Sequence, residues 1–192
     1  MIRLFIALDI PDEIKEEIIV IRNSVISNPL DYKWEAKGKL HITLKFIGEV
    51  KDDLLEPIKN EIEFISNYKP VISSFTKFGF FFSRGRPVIL WLGFKLSGEI
   101  FHLEKELNNK LLKFGIEKEK RDFKPHLTLM RIRKKVSKDF ISSFENCKLP
   151  GTEFKIDSVS LIKSELNPKL PDGRAGSSIY TTIKKYNLMG GL

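Results

Sequence analysis

The chain has 192 residues, with 33 Lys and Arg against 25 Asp and Glu, three histidines, one cysteine and a formal net charge of +8. That length fits one domain, or one domain of two similar lobes, and 42% hydrophobic with 30% charged residues excludes wholesale disorder. No run reaches the ~18 to 20 apolar residues of a membrane span, the apolar N-terminus is too short for a signal peptide, and the lone Cys147 allows neither an internal disulfide nor a cysteine zinc site.

In chain order, Arg3 to Asp9 is β-branched and aromatic enough for a strand, and Pro11 stops it. Pro11-Asp12-Glu13 opens a helix with Ile14, Ile18, Ile21 and Val25 at helical spacing, ended by Asn28-Pro29. After a loop holding Trp34, Leu40 to Ile47 alternates and closes at Gly48. Strict alternation puts Ile42, Leu44 and Phe46 on one face of that strand and His41, Thr43 and Lys45 on the other. A second helix is predicted over 52–66, with Leu55, Ile58, Ile62 and Ile65 inward, then one or two strands from Val71 to Phe82.

The order then returns. Pro87 to Phe94 is strand-like, and Ser97 caps a helix with Ile100, Leu103, Leu107 and Leu111 on its buried face, ended near Gly115. Lys124-Pro125 leads into a second alternating strand, His126 to Arg131, followed by a short helix over 136–144 and closing strands at 153–163 and 179–185. Asn167 to Ser178 reads as a mobile loop and Gly190-Gly191-Leu192 as a frayed end.

His41 and His126 stand 85 residues apart, and the same offset lays Phe5 on Leu90, Ile6 on Trp91 and the first helix on the third. The expected fold is therefore α+β: residues 1–192 form a single bilobal domain of approximate repeats 1–84 and 85–192. Each lobe is a mainly antiparallel sheet with helices on its outer face, and the active-site groove lies between them. The turn Ser83-Arg84-Gly85-Arg86-Pro87 is the natural boundary, read as a plain turn or as a phosphate-contacting loop.

Two of the three histidines are followed two positions on by threonine, in a chain with only six threonines, and both pairs fall in matching strands. Residues i and i+2 share a strand face, so each imidazole lies beside a hydroxyl. Facing lobes would bring two imidazoles and two hydroxyls to one point, an arrangement suited to a phosphorus centre. One neutral imidazole takes a proton from the attacking oxygen, the other supplies one to the leaving oxygen, and Thr43 and Thr128 donate to the non-bridging oxygens. Imidazole suits both tasks because its ordinary pKa is about 6.5, so no metal or other cofactor is needed. Lys45 has the parity to face the phosphate, whereas Arg131 reaches the groove only if its strand bends or ends there. His102 lacks a threonine partner and reads as a surface or packing residue. Phe78, Phe80, Phe81, Phe82 and Trp91 could stack bases, but such clusters are more often sheet core. Trp34 either borders the groove or staples its loop.

Leu40-His41-Ile42-Thr43-Leu44-Lys45-Phe46-Ile47-Gly48-Glu49 and Phe123-Lys124-Pro125-His126-Leu127-Thr128-Leu129-Met130-Arg131 resemble the two motif regions of the 2H phosphoesterases, specifically the RNA 2′,3′-cyclic phosphodiesterase, or 2′-5′ RNA ligase, family. Arg3 to Leu8 resembles that family's opening strand, and Ser164-Glu165-Leu166 with Tyr180 its C-terminal strands; Asn167 to Ser178 departs by its length. The resemblance implies opening of RNA 2′,3′-cyclic phosphate ends, tRNA fragments among them, to 2′-phosphomonoesters, and the reverse joining through a 2′-5′ linkage. It implies His126 as general base, His41 as general acid, and Arg131 as a phosphate-holding residue. The alternatives are a non-catalytic RNA-end or nucleotide-binding module, and a phosphodiesterase for a small cyclic phosphate such as ADP-ribose 1″,2″-cyclic phosphate. A cytoplasmic monomer without membrane association is expected, its basic balance favouring anionic partners.

Overall fold

The structure, a computed structural model, describes residues 1–166 and 178–190. All but Ser178 of the predicted 167–178 loop lies outside that set, as do residues 191 and 192. The elements are β1 (Ile2–Asp9), α1 (Asp12–Ser24), β2 (His41–Val50), α2 (Leu55–Glu61), β3 (Val71–Ser83), β4 (Arg86–Leu96), α3 (Gly98–Lys110), β5 (His126–Arg131), α4 (Lys138–Glu145), β6 (Glu153–Ile156), β7 (Ser158–Leu166) and β8 (Ser178–Asn187). They form two four-stranded antiparallel sheets, β2-β1-β7-β8 and β5-β4-β3-β6. No helix among the described residues is long and apolar enough to cross a membrane.

Local chemistry accounts for most of these elements. β1 is apolar almost throughout and is buried on both faces between β2 and β7. Ile14 and Ile18 bury one stripe of α1, and Ile100, Leu103 and Leu107 do so for α3, which tightens to 3-10 geometry and stops at left-handed Gly115. Ser137 caps α4 by accepting from the Phe140 N–H. The predicted 52–66 helix is divided into a 3-10 turn, α2 and a second 3-10 segment, with Ile58, Ile62 and Ile65 still buried.

The two sheets match strand for strand: β2 with β5, β1 with β4 and β7 with β3. The lobes are not, however, the two halves of the chain. The 83–87 turn is a hairpin inside one sheet, since Ser83 pairs with Arg86, so it is no boundary between lobes. β3 belongs to the first repeat yet joins β4 and β5, and β7 belongs to the second yet joins β1 and β2. Each repeat thus lends its third strand to the other's sheet. The predicted 153–163 strand is accordingly two strands in different sheets, meeting at Asp157, whose carbonyl accepts from the Leu188 N–H at 2.7 Å. The local mark of the break is Asp157-Ser158, two polar residues that put Val159 out of step with Phe154 and Ile156. Buried side chains from both sheets form one continuous core.

Pairing also corrects the alignment of the first strands. Ala7 faces Thr43 and Trp91 faces Thr128, so Ala7 corresponds to Trp91 and Phe5 to Ile89. The second copy has one more residue between its first two strands, and a one-residue slip exchanges sheet faces.

Candidate active site

Both motif strands carry the same irregularity. In β2, Ile6 faces Lys45 and Ala7 faces Thr43, leaving Leu44 as an extra residue; in β5, Leu90 faces Met130 and Trp91 faces Thr128, leaving Leu129 extra. Such a bulge reverses the parity of everything beyond it. His41, Thr43, His126 and Thr128 precede the bulges and stay on the groove face. Beyond them, Lys45 and Met130 turn inward, to 1% and 3% exposure, while Phe46 and Arg131 turn outward. The Glu35 N–H satisfies the Leu129 carbonyl at 2.8 Å, and Trp34 bridges to Met130.

His41, Thr43, His126, Thr128 and Arg131 line one cavity of about 950 Å³ between the sheets. Phe5 lies 4.9 Å from the His41 ring and Tyr180 stands edge-on to it at 5.5 Å. Burial pushes the His41 imidazole down to about 4; a backbone hydrogen bond with Lys39 opposes the shift, and the positive charges of Lys15 and Arg131 add to it. The ring is therefore neutral at pH 7 when the cavity holds no anion. On the facing wall, Phe81 packs edge-on against His126 at 5.1 Å, with Trp91 behind it. Gly79 is required here, because a Cβ would come within 2.2 Å of the Trp91 indole. His126 Nδ1 lies 2.6 Å from the Lys124 carbonyl. A carbonyl only accepts, so Nδ1 carries the hydrogen, and in the neutral ring the lone pair is on Nε2.

Arg131 Nε lies 3.5 Å from Glu35 Oε1, at the edge of the cavity. Trp34 staples the loop that carries Glu35: its indole N–H donates to the Pro29 carbonyl at 2.8 Å, and the Arg22 guanidinium stacks on its ring at 4.8 Å. Phe78 and Phe80 are core, Phe81 lines the cavity, and His102 is a surface residue.

Lys45, expected on the groove face, does not line the cavity. Its ammonium donates to the Glu117 carbonyl and lies 3.8 Å from Glu119, while Glu119 N–H donates to Asn108 Oδ1 at 3.1 Å and Asn108 to the Glu104 carboxylate. Burial lowers the Lys45 pKa, with Glu119 and Glu104 opposing. The first motif strand thereby anchors the segment that leads into the second, and residues 119–124 of that segment form a cavity wall. Lys45→Met, which installs the residue found at the matching Met130, is expected to leave the fold intact. It should lower stability by about 1.5–3 kcal/mol in urea unfolding and speed amide exchange across residues 117–122.

Phe5, Lys39, Glu35, Phe46 and Tyr180 also line the cavity and carry no site assignment from the sequence, whereas Phe81, weighed there as a base-stacking residue or sheet core, lines it too. The 85-residue offset could have flagged Lys39, whose match is Lys124. The others depend on the bulges and on which strands pair.

The chain matches the family described as LigT like Phosphoesterase over residues 8–91 and 95–171. It is 33% identical over 171 residues to the RNA 2′,3′-cyclic phosphodiesterase of Archaeoglobus fulgidus, covering 88% of this chain and 94% of the relative. With the protein of that name from Methanocaldococcus jannaschii it shares 32% over 188 residues, covering 96% and 99%. Among solved structures, TT0787 of Thermus thermophilus superposes with a TM-score of 0.79 at 22% identity, over 99% of this chain and 100% of that one. Escherichia coli LigT complexed with 3′-AMP gives 0.72 at 24% identity, over 97% and 98%. These two likenesses show the fold.

Proposed function

The chain belongs to the LigT-like phosphoesterase family, and from that premise we propose that it opens 2′,3′-cyclic phosphate ends of RNA to 2′-phosphomonoesters without a metal, using His41 and His126 as its proton-transferring pair. The observation that carries this reading is the meeting of two imidazoles, two threonine hydroxyls and the Arg131 guanidinium on a single cavity. Binding alone needs cations but not paired imidazoles. The relatives named RNA 2′,3′-cyclic phosphodiesterase support the same substrate class.

The reaction runs as an in-line displacement. Nε2 of His126, left free by the Nδ1–H bond to Lys124, takes a proton from water as its oxygen bonds to phosphorus. The bond from phosphorus to the 3′ oxygen breaks, and His41 supplies the proton that leaves a 3′-hydroxyl beside the 2′-phosphate. His41 resists protonation in the empty cavity; the negative charge of the cyclic phosphate offsets that resistance, so its proton arrives with substrate. Thr43 and Thr128 donate to the non-bridging oxygens, and Arg131 supplies the positive charge that draws in the phosphate. A 5′-hydroxyl in place of water gives a 2′-5′ linkage through the same groups.

The test is incubation of an oligonucleotide ending in a 2′,3′-cyclic phosphate, with and without EDTA, and mapping of the product end. A 2′-phosphate formed at an undiminished rate in EDTA is expected. A 3′-phosphate product, or a rate abolished by EDTA and restored by a divalent metal, overturns the reading.

A further inference from the structure

Five cations lie beyond the Arg131 end of the cavity. Arg84 and Gly85 turn the β3–β4 hairpin with φ of +49° and +74°. Two-residue turns of this kind favour Asn-Gly, because a larger side chain is strained in the left-handed region. An arginine there contradicts local preference and makes no ion pair among the described residues; such breaks of local rule concentrate where function demands them. The Ile132 N–H donates to the Val88 carbonyl at 2.9 Å, so Arg133, Lys134 and Lys135 leave the sheet where β5 passes Val88, two residues from Arg86 along β4. All five side chains are exposed. The patch continues the groove: Ile89 faces both Phe81 and Arg131, which line the cavity, and Arg86 stands three residues before it, about 10 Å along the strand.

The repeat supplies an internal comparison. At the matching end of the other sheet, Arg3 pairs with Glu49 at 2.8 Å, Lys163 with Glu165 at 2.9 Å and the N-terminal ammonium with Asp52 at 2.6 Å. Lys134 follows Glu49 by 85 residues, so a carboxylate in one copy is a cation in the other. Among the described residues, Arg84, Arg86, Arg133, Lys134 and Lys135 have no such carboxylate partners. The fold is shared by the two ends, but among the described residues the cluster of cations without carboxylate partners lies at this one.

We propose that the β3–β4 tip and residues 133–135 form a track for the phosphates of single-stranded RNA on the 5′ side of the reacting end, so that the substrate is an RNA chain rather than a free cyclic nucleotide. This rests on reading the cavity as an RNA-end site. A cyclic mononucleotide finishes inside the cavity and has nothing to offer cations farther along the groove. An RNA chain leaves the cavity with one phosphate per nucleotide, and a basic groove tracks that backbone without regard to sequence.

The test combines Arg84→Gly, Arg86→Ser, Arg133→Ser and Lys134→Ser in one variant. Glycine relaxes the turn, so thermal unfolding serves as a check that the hairpin remains. Turnover is measured on a short single-stranded RNA with a 2′,3′-cyclic phosphate end and on uridine 2′,3′-cyclic phosphate, and binding on the same RNA ending in a 3′-phosphate. For RNA, KM and Kd should rise about tenfold or more, with the salt slope of binding smaller by about 0.7 for each phosphate that the variant no longer neutralises. Turnover of the mononucleotide should not change. An unchanged RNA Kd and salt slope overturns the track, whether or not either substrate is turned over. Weakened RNA binding by the variant upholds it even if the wild-type protein turns over neither substrate, in which case the catalytic reading alone fails.

Discussion

His41→Ala and His126→Ala are each expected to slow opening of a cyclic phosphate by about 10²–10⁴-fold while leaving the fold intact, because each removes one of the two proton transfers. The double variant should fall little further than either single one, since residues that act as a unit lose their effect together. Single-turnover rates on a cyclic-phosphate-ended oligonucleotide measure this, and near-full activity in either single variant would end the acid–base assignment. Stability gives a second, independent signature of His41. Its folded pKa is about 4, against about 6.5 for a free imidazole. Between those values the unfolded chain binds more protons, so His41 favours the folded state least as pH falls through this window. Its contribution is complete above about 6.5 and is lost progressively down to about 4, on the order of 3 kcal/mol across the window. Urea midpoints from pH 7 to pH 4 should therefore fall more steeply for the wild type than for His41→Ala. Equal slopes would show that burial does not hold this ring neutral.

Arg131→Met should lower kcat/KM by about 10²–10³-fold, on the scale of a lost donor to developing charge. The side chain is 58% exposed and anchors no part of the core, so stability should hardly move. Arg131→Lys should recover part of the activity, since a point charge replaces the charge but not the planar fork. The same substitution reaches across the groove: Arg131 depresses the His41 pKa, so Arg131→Met should raise it, which a histidine proton NMR titration reads directly. A kcat/KM equal to wild type in Arg131→Met would remove Arg131 from the site. In the matching repeat this position is Phe46, so the arginine is not duplicated at this place in the other motif strand.

These expectations separate what is legible locally from what is not. The amphipathic stripes of α1 and α3, the alternation of β2 and β5, and the two His-x-Thr pairs at 85-residue spacing are all contained in short windows, because side-chain period and turn chemistry are local properties. They suffice for two antiparallel sheets with helices and for a pair of groove-facing histidines. The extra residues Leu44 and Leu129 leave no such mark: a bulge exists only relative to the partner strand, here β1 and β4, and one unpaired residue exchanged Lys45 for Phe46 and brought Arg131 into the cavity. Strand exchange between the sheets was hidden for the same reason. Nothing in the alternation of Val71 to Ser83 or Ser158 to Leu166 specifies whether the neighbour comes from the same repeat or the other. Sequence by itself determined the duplicated elements, the chemistry-bearing side chains and the net positive charge. Tertiary structure alone decided which strands pair, which residues are left over in the pairing, and thus that Arg131 and not Lys45 lines the cavity, because those outcomes depend on hydrogen-bond partners distant along the chain.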